Sequence, residues 1–208
     1  MECLKQQTAG FMRNIRSLDC DEYIEKYLLF SAAPVLAEIK PSVFVSFFAR
    51  YRPAWEENSE RICAMTGLEI MVISERHDAF QLFIYNRRHL ESSLRRASAA
   101  RILNEYGYPG NAEAPELLGI LSTRFAVCEF PHEIGIFLGY PPEDVAAFIE
   151  NCGRNCICCR YWKVYHNEPR ARQTFRFIDE ARARAIKILS QSIPIHYAAK
   201  MLAEPRTA

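Results

Sequence analysis

Hydrophobic and polar positions follow a strand-like pattern most clearly between residues 68 and 87. The segments LEIMVISER and AFQLFIYNR are rich in β-branched and aromatic residues and flank a His77–Asp78 turn. This pattern predicts an antiparallel hairpin near residues 69–86. The segment VFVSFFARY, residues 43–51, has the same composition without a clear period. It therefore fits either a strand or a buried helix.

A helical spacing of apolar residues dominates most of the remaining chain. Such a pattern follows Asp19, which can cap the predicted helix, and Pro34 is expected to interrupt that helix. Similar patterns bounded by proline and glycine predict helices over residues 89–107, 116–128, 131–139, 142–153 and 169–190, with a short last helix after Pro194.

These elements predict the α+β class, as a mostly helical single domain with a small antiparallel β-sheet. The sheet would contain the hairpin near 69–86 and a strand near 157–165. A length of 208 residues, half of them hydrophobic, is sufficient for one globular domain over residues 1–208. We expect residues 168–208 to form a C-terminal helical appendage that packs on this domain.

The charge balance argues against a nucleic-acid or membrane partner. Lys and Arg number 26 and Asp and Glu number 25, so the formal net charge is +1. No apolar run approaches the ~18 residues of a membrane span, and the N-terminus lacks the apolar stretch of a signal peptide. We therefore expect a cytoplasmic protein. Two basic stretches, residues 87–101 and 170–187, are either solvated helix faces or a docking surface for an acidic protein.

Half of the eight cysteines lie in one short loop, at Cys152, Cys156, Cys158 and Cys159. Three of them have the C-x3-C-x2-C spacing of radical S-adenosylmethionine enzymes. Those enzymes need many βα units after the motif, and about fifty mostly helical residues follow here, which excludes that class. An iron–sulfur cluster or a zinc ion stays open. The alternatives are buried small side chains and reactive thiols.

The segment before this loop carries a histidine and several acids. His132 and Glu133 are expected in the first turn of a short helix, where the helix dipole favours anions. His132 could be a metal ligand, a general base or an anion contact, with structural capping as the alternative. Glu143 and Asp144 begin the next predicted helix, where acids complement its positive end.

The segment after the loop, YWKVY, is a predicted aromatic strand. Strand alternation places Tyr161, Lys163 and Tyr165 on one face and Trp162 on the other. One face is expected to be core, and the other could stack on a planar ligand or bring Lys163 to an anion. The candidate ligand-binding residues are therefore His132, Glu133, Tyr140, Trp162, Lys163 and Tyr165.

The segments FPHEIGIFLGYPPEDV and YWKVY resemble a bacterial family known as domain of unknown function 3793. The segments APVLAEIKPS, residues 33–42, and YGYPG, residues 106–110, extend the resemblance over most of the chain. It implies relatives in anaerobic, largely gut-dwelling bacteria, sometimes encoded near flavodoxin or iron-handling genes. That context favours redox or metal metabolism.

Three hypotheses follow for the function. The first is a cytoplasmic binding or accessory protein of metal or redox metabolism, with a site around His132 and the loop at 152–159. The second is a small-molecule enzyme or ligand-binding domain for an anionic or planar ligand. It requires a concave pocket that joins the FPHE segment to YWKVY. The third is an interaction module whose basic helices dock an acidic redox partner such as a flavodoxin.

Overall fold

The computed structural model of the protein describes residues 2–128 and 130–204. In chain order its elements are α1 (Glu2–Ile15), α2 (Cys20–Leu36), β1 (Ser42–Phe48), a 3-10 helix (Ala49–Tyr51), α3 (Arg52–Thr66), β2 (Glu69–Arg76), β3 (Ala79–Tyr85), α4 (Arg87–Leu94), α5 (Ala97–Glu105), α6 (Ala114–Val127), α7 (Ile134–Phe137), α8 (Pro142–Glu150), β4 (Cys158–Cys159), β5 (Lys163–Val164), α9 (Glu168–Leu189) and α10 (Ile195–Ala203).

Three strands form an antiparallel sheet in the order β1-β3-β2. The predicted hairpin near 69–86 is confirmed as β2 and β3. The segment 43–51, which fitted either a strand or a helix, contains β1, and Val45 of that strand lies opposite Leu82 of β3. β3 pairs with both β1 and β2 and is therefore the central strand.

The sheet separates two hydrophobic cores. Leu82 and Ile84 of β3 belong to one core, together with α1, α2, α3, α9 and α10. Phe83 and Tyr85 belong to the other, together with helices α4 to α8. Successive side chains of a strand point to opposite faces, so β3 supplies both cores. The predicted α+β class, mostly helical with a small antiparallel sheet, is confirmed.

Helix α9 joins the first core to a third, smaller cluster. Its C-terminal half places Ala185 and Ile188 in the first core, and its N-terminal half packs Phe175 against Trp162. The division into a domain and an appendage at 168–208 stays a prediction, and residues 1 and 205–208 lie outside the described residues. No helix in residues 2–128 and 130–204 has the length and apolar character needed to cross a bilayer.

Several element boundaries differ from the expectations. Helix α2 continues through Pro34 to Leu36, although the proline has no N–H and so removes one backbone hydrogen bond from the helix. The expected helix over 89–107 is divided into α4 and α5. The expected strand near 157–165 is instead a short hairpin, β4 paired with β5, with Cys158 opposite Val164. It forms a two-stranded sheet of its own and, contrary to the expectation, does not join the sheet of β1, β2 and β3.

Candidate functional site

The corner between α7 and α8 forms one wall of the candidate site. α7 is followed by Gly139, whose φ of +73° is the left-handed conformation expected for this glycine. The Ser42 hydroxyl donates a hydrogen bond of 2.7 Å to the Phe137 carbonyl and fixes this helix end to β1. Gly135 allows the helices to approach closely, because a Cβ atom there would lie 2.8 Å from Val145 Cγ2.

Asp144 attaches the opposite wall to α8. Its side chain is 1% exposed and accepts hydrogen bonds from the Trp162 indole N–H at 2.8 Å and from the backbone N–H groups of Tyr165 at 2.9 Å and His166 at 2.8 Å. The sequence suggested that this acid complements the helix dipole. Its burial and its three donors show that it holds the β4–β5 hairpin against α8.

A cavity of about 270 Å³, here called the aromatic cavity, lies between this corner and the hairpin. Much of its lining is aromatic, from Phe130, Tyr140, Phe148, Tyr161 and Trp162. Tyr140 and Trp162 stack with their ring centroids 5.2 Å apart. Apolar and aromatic walls with a few polar groups are the usual composition of small-molecule sites.

Lys163 brings positive charge to this cavity. Its ammonium donates a hydrogen bond of 2.6 Å to the Gly153 carbonyl and lies 5.6 Å from the centre of the Phe148 ring. No carboxylate among the described residues pairs with it, and an ammonium has further N–H groups to offer a ligand. Arg160 also lines the cavity, but its ion pair of 2.5 Å with Asp179 offsets its charge.

Four of the six predicted ligand-binding residues line the aromatic cavity: His132, Tyr140, Trp162 and Lys163. His132 is exposed, with its ring centroid 5.1 Å from that of Phe148. It was expected in the first turn of a helix, but it precedes α7, which has four residues. α7 is therefore too short to produce the expected helix-dipole effect on His132.

Glu133 and Tyr165, the other two predicted ligand-binding residues, lie outside the cavity. Glu133 is 1% exposed, forms an ion pair with Arg124 and accepts a hydrogen bond of 3.1 Å from the Tyr108 hydroxyl. These contacts hold the turn before α7 to α6 and to the YGYPG segment. The Tyr165 hydroxyl is buried and has no hydrogen-bond partner among the described residues.

The four candidate metal ligands are spread along their loop. Cys152 and Cys159 are exposed, whereas Cys156 and Cys158 are partly buried. Burial raises the pKa of the Cys158 thiol, and Cys159 lines the aromatic cavity. Within residues 2–128 and 130–204, no three or more His, Cys, Asp or Glu side chains are placed to hold a metal ion. The iron–sulfur or zinc site stays a prediction, with no preassembled ligand set in this part of the chain.

The sequence profile of one protein family matches residues 28–197 of the chain. The chain belongs to the DUF3793 family of proteins of unknown function. The resemblance carried by FPHEIGIFLGYP and YWKVY is thereby confirmed, and in this DUF3793 protein both segments contribute walls of the aromatic cavity. No curated protein and no solved structure matches the chain.

Sequence reasoning missed several residues that shape the cavity of this DUF3793 protein. Phe148 lies in the predicted helix over residues 142–153, but neither Phe148 nor Arg160 was selected as a candidate site residue. One signal was available: Phe148 lies four positions after Asp144 in α8, which places both on one helix face. The partners of Asp144 were not readable, because they lie about twenty residues further along the chain.

Proposed function

We propose that this DUF3793 protein binds a small, flat organic anion in the aromatic cavity. One observation carries the proposal. Residues that the sequence singled out in two separate segments, among them His132 and Lys163, line a single cavity with aromatic walls. This is the concave pocket that the ligand-binding hypothesis required.

The walls of the cavity support a flat ligand. Trp162 is held by its hydrogen bond to Asp144 and by the Phe175 ring, whose centroid lies 4.5 Å away. A wall fixed in this way loses little conformational entropy when a ligand contacts it. A volume of about 270 Å³ is near the lower end for small-molecule sites, so we expect a ligand of about two fused rings.

The charges around the cavity support a negative group on the ligand. Lys163 is a cation without a described carboxylate partner, and it sits at the Phe148 side of the cavity. Burial raises the pKa of both Tyr140 and Tyr161 to about 12, so neither phenol carries charge at neutral pH. Asp144 is the one carboxylate among the described lining residues, and its oxygens already accept three hydrogen bonds. An anion near Lys163 is therefore attracted on balance.

Calorimetric titration with 2-naphthoate and with its neutral analogue 2-naphthylmethanol tests this proposal. We expect Lys163→Met to raise the dissociation constant of 2-naphthoate about tenfold, because a charge-assisted hydrogen bond is lost. The dissociation constant of the alcohol should stay nearly unchanged. Phe148→Ala should weaken both compounds, because both use the aromatic wall. Lys187→Met, which removes an exposed lysine from α9 outside the cavity, is the matched control.

Two results would count against the proposal. Failure of the protein to bind either compound removes the aromatic cavity as a ligand site. The role of the Lys163 charge is excluded if Lys163→Met weakens binding of the acid and of the alcohol equally. It is also excluded if Lys163→Met and Lys187→Met have equal effects. A role in metal or redox metabolism and an acidic partner such as a flavodoxin stay predictions, and this ligand site does not depend on them.

A further inference from the structure

The two basic stretches singled out in the sequence meet at a second cavity. Arg96 belongs to the stretch at 87–101 and Arg170 to the stretch at 170–187, and both line a cavity of about 330 Å³. This cavity, here called the polar cleft, also borders Tyr140 and Trp162. It differs from the aromatic cavity because its lining contains many polar and charged side chains.

The arginines of the polar cleft differ from their neighbours in their pairing. Arg95 forms an ion pair with Glu91, and Arg172 forms one with Glu168 at 2.6 Å. Arg96 and Arg170 are exposed and form no ion pair with a residue in the described part of the chain. Their guanidinium groups are therefore free to bind an anion that enters the cleft, and guanidinium geometry suits phosphate in particular.

Other polar side chains of the cleft complete a set of hydrogen-bond donors. His89 and His166 line it, with hydroxyl groups such as that of Ser98. Burial lowers the pKa of His89, so this histidine acts as a neutral hydrogen-bonding group at pH 7. Glu143 is the one carboxylate among the described lining residues. The lining therefore carries two arginines and one carboxylate, and the buried Asp144 carboxylate lies behind His166, 3.4 Å from its Nδ1 atom.

Three helices begin at this cleft. Lining residues include Ser98 in the first turn of α5, Glu143 in the first turn of α8 and Asn167, which caps α9. Within the described residues no side chain caps the start of α5 or of α8, whereas the Asn167 side chain accepts a hydrogen bond from the Arg170 N–H of α9. The first N–H groups of a helix have no partner within that helix, and the helix dipole makes this end positive. The uncapped start of α5 therefore adds attraction for an anion at a cavity that already holds unpaired arginines, whereas acids in the first turns of α8 and α9 offset the positive ends of those helices.

We propose that the polar cleft binds the phosphate group of a small phosphorylated compound. The doubly charged oxyanion matches the two arginines and the start of α5 better than a single carboxylate does. The cavity of about 330 Å³ has space for an organic group attached to the phosphate. The two cavities share Tyr140 and Trp162 as lining residues, but their charged residues differ, so charge variants test the two sites independently.

A titration followed by NMR of the histidine side chains tests this site in the wild-type protein. Inorganic phosphate and phenyl phosphate are added separately at constant ionic strength, with chloride as the reference anion. We expect the signals of His89 and His166 to shift with a common dissociation constant, and those of His77 and His196, which do not line the cleft, to stay. Tighter binding of phenyl phosphate identifies an organic phosphate as the ligand, and equal binding identifies free phosphate as sufficient.

Charge variants provide the second arm. Arg96→Gln and Arg170→Gln should each raise the dissociation constants of the phosphate compounds about tenfold, because each removes a charge-assisted contact. Arg176→Gln is the matched control, since Arg176 lies on α9, pairs with Glu180 at 3.8 Å and does not line the cleft. The proposal is overturned if His89 and His166 do not respond, if chloride gives the same shifts, or if Arg176→Gln weakens binding as much as Arg96→Gln does.

Discussion

Replacing Asp144 by alanine should release the wall of the aromatic cavity that carries Trp162. The carboxylate accepts hydrogen bonds from the Trp162 indole and from the backbone N–H groups of Tyr165 and His166. Trp162 lies in the turn between β4 and β5, and Tyr165 and His166 directly follow β5. Alanine offers no acceptor, so the substitution leaves them without their protein partner.

The size of the effect follows from the burial of these donors. A buried donor left unsatisfied costs about 1–3 kcal/mol. The Trp162 donor is buried, whereas the two backbone groups are partly exposed and can turn to water. We therefore expect Asp144→Ala to lower the free energy of unfolding by about 3–5 kcal/mol, the lower part of the range that three buried donors would give. Asp144→Asn keeps one carbonyl oxygen and should cost about 1–3 kcal/mol.

Urea unfolding followed by far-ultraviolet circular dichroism measures these differences. Glu143→Ala is the control, because Glu143 is the neighbouring acid of the same helix turn and is exposed. We expect it to change stability by less than about 0.5 kcal/mol. The reasoning is refuted if Asp144→Ala and Glu143→Ala cost the same, since the helix dipole alone would then explain both acids.

Three further predictions concern other parts of the fold. Gly139→Ala should lower the free energy of unfolding in urea by more than about 2 kcal/mol, because φ is +73° and a Cβ atom would lie 2.8 Å from Pro41 Cγ. Gly119→Ala is the control and should cost nothing, because a Cβ atom there would meet no described atom within 4 Å. Glu133→Gln breaks a buried ion pair and should cost about 2–4 kcal/mol by the same assay. Burial and a nearby guanidinium lower the pKa of Lys40 to about 7, so its charge opposes folding fully below pH 7 and progressively less up to about pH 10. Lys40→Met should therefore raise stability by about 1–3 kcal/mol at pH 6, and a gain that does not shrink by pH 10 contradicts this.

The larger elements of the fold were predictable because their signals are local. The hairpin of β2 and β3 follows from two strand-like segments around a short turn. Helix ends at Gly139 and Gly153, both with positive φ, follow from glycine's freedom in the left-handed region. The division of the helix over 89–107 was not predictable, because the two basic residues at the break carry no stop signal of their own.

The candidate site was predictable in part. His132 and Lys163 were selected from unusual local sequence, and both line the aromatic cavity. Glu133 was selected for the same reason. Its ion pair joins it to Arg124 of the preceding helix α6, and the sequence around Glu133 does not indicate this contact. Asp144 acts through donors on another element. Such tertiary pairings leave no periodic pattern in the sequence, and they determine which polar residues face a cavity.

The central claim is that a flat anion binds against Trp162. The protein has two tryptophans, and Trp55 is buried in the first core and does not line the aromatic cavity. The most direct test records the two indole N–H signals by NMR during titration with 2-naphthoate. The account predicts that the Trp162 signal, assigned with Trp162→Phe, shifts to saturation while the Trp55 signal stays. A titration that moves neither signal, or both equally, contradicts it.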